Sequence, residues 1–281
     1  TQVTAIPNNF LSGCASLLKL HIKGWESIET IGKDFLSGCT ALSTLEIQNW
    51  TGVSEISDNF LKGCESLESF DLSGWTGVQT VGSYFLSGCE KIANLNLSGW
   101  TGITTINDYF LENCLGLNEL DLTDFTNLEE IGANFLAGCE NISNLTIANL
   151  TKVTTIGNYF LNNCKALTTL TMTDWTSLTG LNDYFCNNCT SLQTVDLDNC
   201  SSLTTINNTF LNGCSAIKTL QLNNLSKLST LYDYFLSGKT SLEEIQISGW
   251  TTKTSIETGF LQGCSKLTSL GTFQNCGNIQ T

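Results

Sequence analysis

The sequence predicts a repeat solenoid, a right-handed coil of about eleven turns with 25 residues each and a parallel β-sheet along one face. Three columns of residues predict it. Phenylalanine stands at positions 10, 35, 60, 85, 110, 135, 160, 185, 210, 235 and 260. Cysteine stands at 14, 39, 64, 89, 114, 139, 164, 189, 214 and 264, with Lys239 alone breaking the series. Tryptophan stands at 25, 50, 75, 100, 175 and 250, replaced between them by Phe125, Leu150, Cys200 and Leu225. Identical residues at a fixed step are what stacking demands, because each coil must meet near-identical neighbours above and below.

One unit, begun at its cysteine, reads C-x-x-L-x-x-L-x-L-x-x-W-x-x-V-x-x-I-x-x-x-F-L-x-G. Its L-x-x-L-x-L segment, "LESFDL" at 67–72, carries the alternation of a short strand. Such strands stack in parallel at about 4.8 Å per coil. Glycine or asparagine precedes each column cysteine, as at Gly13, Gly88, Asn113, Asn163 and Asn188, and marks a tight turn through a left-handed residue. "GWTG" at 74–77 and 99–102 fits a second corner. A serine or threonine after the tryptophan position supplies a hydroxyl for turn backbone or the adjoining coil. No linker interrupts the pattern, so residues 1–281 are read as one solenoid domain.

The order of these residues, best seen in "CTALSTLEI" at 39–47 and "VGSYFLSGC" at 81–89, resembles the BspA-like leucine-rich repeats. Tryptophan stands here where that family's unit carries a proline. The resemblance implies a leucine-rich-repeat-type curved solenoid, placed outside the cell or on its surface, that adheres to host proteins or other cells.

Charge narrows the partners. The net charge is -14 and all twelve basic residues are lysines. Residues 28–202 hold twenty-one acidic side chains against five lysines. Phosphate recognition relies on basic patches and on the arginine fork, so nucleic acid is not an expected partner, and an anionic membrane surface is disfavoured for the same reason. No apolar run approaches the roughly 20 residues that span a bilayer, so no membrane insertion is expected. Thr1-Gln2-Val3 opens without a methionine or an apolar leader, and localisation is not legible from the residues themselves.

Thirteen cysteines invite a disulfide or metal reading. Coils about 4.8 Å apart separate equivalent side chains more than the roughly 3.8 Å between disulfide Cβ atoms, which favours a stack of buried free thiols. "CNNC" at 186–189 has the spacing of a redox or zinc motif, yet Cys189 is a column cysteine and Cys186 takes a repeated leucine position. Cys200 and Cys276 sit in or near the tryptophan position, and are the expected reactive thiols if that corner is exposed. The single histidine, His21, lies between Lys19 and Lys23 on the first strand, with no nucleophile pattern to complete a catalytic set. A non-enzyme without cofactor or metal is expected.

Strand positions alternating with the inward leucines form the expected binding face: Glu46, Asp71, Asn96, Asp121, Thr146, Thr169, Thr171, Thr173 and Asp196. It is polar and acidic, and a protein or glycan is its expected ligand. Tyrosines at 84, 109, 159, 184 and 234 form a broken column before the phenylalanines, on another side. The alternative function is a structural subunit that stacks head-to-tail into an extracellular filament, with Val3, Ile6, Lys253, Phe273 and Ile279 as the end contacts.

Overall fold

The structure is a computed structural model that describes residues 3–47, 50–148, 150–271 and 276. Among them there is no helix, and every strand pairs in parallel at a step of 25 residues: Ala5 with Thr30, Thr30 with Glu55, Leu120 with Leu145. Two ladders run along the coil. The first is built of two-residue strands: β1 (Ala5–Ile6), β3 (Thr30–Ile31), β5 (Glu55–Ile56), β7 (Thr80–Val81), β9 (Thr105–Ile106), β11 (Glu130–Ile131) and β13 (Thr155–Ile156) form one sheet. The pair β15 (Gly180–Leu181) and β17 (Thr205–Ile206) continues it.

The second ladder is the strand face expected from the leucine alternation. It holds ten strands among the described residues: β2 (Lys19–Ile22), β4 (Thr44–Ile47), β6 (Ser69–Asp71), β8 (Asn94–Asn96), β10 (Glu119–Asp121), β12 (Asn144–Thr146), β14 (Thr169–Thr171), β16 (Thr194–Asp196), β18 (Thr219–Asn223) and β19 (Glu244–Ser248). Ser269, bridging to Glu244, marks the next coil. This sheet is segmented. The pairs β2-β4, β6-β8 and β10-β12 stand apart, and only β14-β16-β18-β19 run on without a break. The inward leucines beside the second and third breaks, Leu95 and Leu145, are only half-buried, whereas Phe70 and Leu120 are buried.

The core is a set of ladders. The eleven phenylalanine rings of the main column stack one on the next from Phe10 to Phe260 with centroids 5.2–5.8 Å apart. That spacing exceeds the coil rise of about 4.8 Å because the rings are offset, the arrangement their quadrupoles prefer. Tryptophans meet them edge-on, as Trp100 meets Phe85 at 6.1 Å and 63°.

The glycine or asparagine before each column cysteine has the expected positive φ, 73° at Gly88 and 57° at Asn113. Two further left-handed positions lie in the same turn. The residue after each column phenylalanine, leucine in all but Cys186, has φ near +55°, as at Leu36 (55°) and Leu61 (56°), and the residue before it is left-handed at every coil but that of Thr209, as at Tyr84 (62°). A left-handed non-glycine residue costs about 1–2 kcal/mol. Stacking offsets that cost, because Leu36 N–H reaches Phe10 O in the coil before at 2.9 Å while Asp34 N–H reaches Asp58 O in the coil after at 3.0 Å.

Candidate recognition surface

Two side-chain columns hold the coils together from inside, and their chemistry accounts for most of the cysteines. The thiol of Cys64 donates to the carbonyl of Leu36 at 3.2 Å, that of Cys89 to Leu61 at 3.2 Å and that of Cys139 to Leu111 at 3.0 Å. Each acceptor is the carbonyl of a left-handed leucine one coil back. The indole of Trp100 does the same for Leu72 O at 3.0 Å, as do Trp175 for Ile147 O and Trp250 for Leu222 O. Where cysteine replaces tryptophan, the Cys200 thiol takes over the task and donates to Met172 O at 3.2 Å. Where lysine replaces cysteine, Lys239 Nζ donates to Leu211 O at 2.6 Å. In these coils a buried carbonyl receives a donor from one of three different side chains, whereas Phe125, Leu150 and Leu225 bring none to the tryptophan column.

No cysteine from Cys14 to Cys264 forms a disulfide. Burial pushes the Cys89, Cys114 and Cys164 thiols well above the ordinary value, and the Cys64 and Cys200 thiols up to about 12. A thiol held protonated is a poor nucleophile. The expectation for Cys200 is corrected: the corner is closed over it, the side chain is fully buried, and it is not an exposed reactive thiol. Cys276 is half-buried. Cys186 and Cys189 lie in the core, and among the described residues no group of three or more His, Cys, Asp or Glu side chains is arranged to hold a metal ion.

The strand face carries the outward side chains in register. His21 lies opposite Glu46, Asp71 opposite Asn96, Asp121 opposite Thr146, and Thr171 opposite Asp196 and then Gln221. Glu46, Asp71, Asn96, Asp121, Thr146, Thr169 and Thr171 are exposed, and Thr173 and Asp196 are half-buried. His21 Nδ1 meets Glu46 Oε2 at 2.7 Å, and this hydrogen bond holds the Glu46 carboxyl below its usual range. Partial burial raises the Asp196 carboxyl, against the hydrogen bond it accepts from Asp198 N–H. The break between β4 and β6 opens a crevice of about 310 Å³ lined by Leu45, Glu46, Phe70, Asp71, Ser73 and Trp75. Two carboxylates thus stand over an apolar floor. Sequence patterning reveals the carboxylates but not the crevice, which depends on a missing pairing between neighbouring strands.

The residues expected at the ends are placed differently from one another. Val3 is exposed and Ile6 is buried under the second coil. Lys253 takes an aliphatic core position at 3% exposure, its ammonium paired with Glu257 and donating to Ser229 O at 3.1 Å. Phe273 and Ile279 lie outside the described residues. Among the described residues no helix is long and apolar enough to cross a membrane.

The family model described as "BspA type Leucine rich repeat region" matches residues 4–143, 100–218 and 154–281. A leucine-rich repeat protein from Bacteroides ovatus superposes with a TM-score of 0.59 at 18% identity, over 99% of this chain and 78% of that one. A leucine rich cell surface protein from Faecalibacterium prausnitzii gives a TM-score of 0.50 at 18% identity, over 96% of this chain and 76% of that one. No curated protein matches the chain.

Proposed function

The chain belongs to the BspA-type leucine-rich-repeat family, and from that premise we propose that it is a non-enzymatic cell-surface module that binds a protein or glycan through its strand face. The observation that carries the proposal is the row of exposed polar side chains, one per coil, from Glu46 through Asp71, Asn96, Asp121 and Thr146 to Thr171, which recurs across the breaks in the sheet. Their positions are set by a rigid stack, so a ligand meets them without an ordering cost at each contact. The crevice at Glu46 and Asp71 adds a concave point where polar groups converge over Leu45, Phe70 and Trp75. The surface location rests on the family and on the description of the Faecalibacterium prausnitzii protein.

The test is a binding panel of extracellular-matrix proteins and immobilised glycans, probed with the wild-type chain and with a Glu46→Ala/Asp71→Ala/Asp121→Ala variant. A ligand held by the wild type and lost by the variant supports the strand face. Equal binding by both moves recognition elsewhere. Head-to-tail stacking is the less supported alternative, because Ile6 and Lys253 are buried within the coils rather than presented for contact. Sedimentation velocity over a concentration series tests it separately.

A further inference from the structure

Tyr84, Tyr159 and Tyr234 stand three coils apart, at the same left-handed turn position with φ of 62°, 61° and 62°. Each donates its backbone N–H to a carbonyl of the following coil: Asp108 at 2.8 Å, Asp183 at 2.9 Å and Thr258 at 2.7 Å. On the side of the following coil, Tyr84 stacks on Tyr109 (4.3 Å, 3°) and Tyr159 on Tyr184 (4.7 Å, 2°). On the opposite face Tyr84 carries a cation, with Lys62 Nζ 3.4 Å from the ring centroid.

The residue equivalent to Lys62 differs in the other two copies. Before Tyr159 it is Ala137, which is buried and too short to cover a ring. Before Tyr234 it is Asn212, whose amide is turned back to Asn187 Oδ1 at 2.8 Å. Two ring faces of the kind that Lys62 fills are therefore left uncovered by that position, and Tyr159 and Tyr234 are 37% and 58% exposed. Asp183 adjoins Tyr184 in the stack with Tyr159, and Asp233 adjoins Tyr234, in a chain of net charge -14 with no arginine. Ring quadrupole, nearby carboxylates and overall field all favour a cation.

We propose that Tyr159 and Tyr234 form a two-point docking surface for a partner polypeptide that presents arginine or lysine side chains from an extended segment. Three coils at about 4.8 Å separate the two faces by about 14 Å. In an extended chain at about 3.4 Å per residue, side chains four residues apart lie about 14 Å apart and point to the same side. The surface lies at the turn before the phenylalanine column, away from the strand face, so either surface can fail without the other.

The probe is a labelled nine-residue peptide with arginine at its first, fifth and ninth positions and glycine and serine between, titrated at physiological salt. Binding is expected to fall about tenfold in Tyr159→Leu/Tyr234→Leu and to persist in Tyr159→Phe/Tyr234→Phe, since the phenyl face keeps the quadrupole. Net charge is the same in all three proteins, so a general acidic field predicts no difference between them. Unchanged affinity in the leucine variant overturns the proposal, as does equal binding of the same peptide with citrulline in place of arginine. Wild-type melting temperatures in both variants establish that the fold is intact.

Discussion

Lys239 Nζ donates to the carbonyl oxygen of Leu211 at 2.6 Å, the task that the Cys214 thiol performs for Cys186 O one coil earlier at 2.9 Å. An exception to the cysteine column thus preserves the hydrogen bond while changing the atom that makes it. The cysteine column is a donor column.

Replacing Lys239 separates donor from charge. Lys239→Ala leaves Leu211 O without that donor and is expected to cost about 1–3 kcal/mol in a denaturant titration. Lys239→Cys restores a thiol donor and is expected to be at least as stable as the wild type at neutral pH, because no ammonium is then desolvated.

Alkaline pH should destabilise the solenoid. The Cys64 and Cys200 thiols, pushed up to about 12 by burial, stay protonated when folded and ionise near 8.5 when unfolded. Their stability contribution is fully present below about 8.5 and is lost progressively as pH rises toward the folded values. Lys239 acts in the opposite sense. Burial lowers its folded value below 10.5, so its contribution becomes more favourable as pH climbs toward 10.5. Melting temperature against pH should therefore fall more steeply for Lys239→Cys than for the wild type between about pH 8.5 and 10.5.

The tryptophan column allows a paired comparison. Trp100 donates to Leu72 O, whereas the buried Trp50 Nε1 has no hydrogen-bond partner among the described residues. Phenylalanine already fills this position at Phe125, so the shape is tolerated. Trp100→Phe is expected to cost about 1 kcal/mol more than Trp50→Phe, measured by chemical denaturation.

Glycine at one coil contact is dictated by space. A Cβ on Gly157 would lie 2.2 Å from Ala133 N in the coil before, so Gly157→Ala forces adjoining backbones apart. A loss of about 1–3 kcal/mol is expected from such overpacking, read as a lowered melting temperature.

The coil and its period were legible because phenylalanine, cysteine and tryptophan repeat without slippage, and Asn113 or Gly88 before a cysteine signals a left-handed turn. Leu36 and Leu61 in the left-handed region were not legible, since leucine avoids it and only hydrogen bonds between coils hold it there. The outward row from Glu46 to Asp196 followed from strand alternation. The breaks that divide its sheet did not, because the units on either side read alike. Lys253 was expected at an end contact as a departure from the repeat, and lies buried because Glu257, four residues on, and Ser229 O, one coil back, satisfy its ammonium.

The most direct test of recognition through the strand face is the affinity, for any ligand found in the matrix and glycan panel, of the wild type against Glu46→Ala/Asp71→Ala/Asp121→Ala. Loss of binding in the triple variant, with retention in Tyr159→Leu/Tyr234→Leu, is the predicted result. Full binding by the triple variant would contradict it.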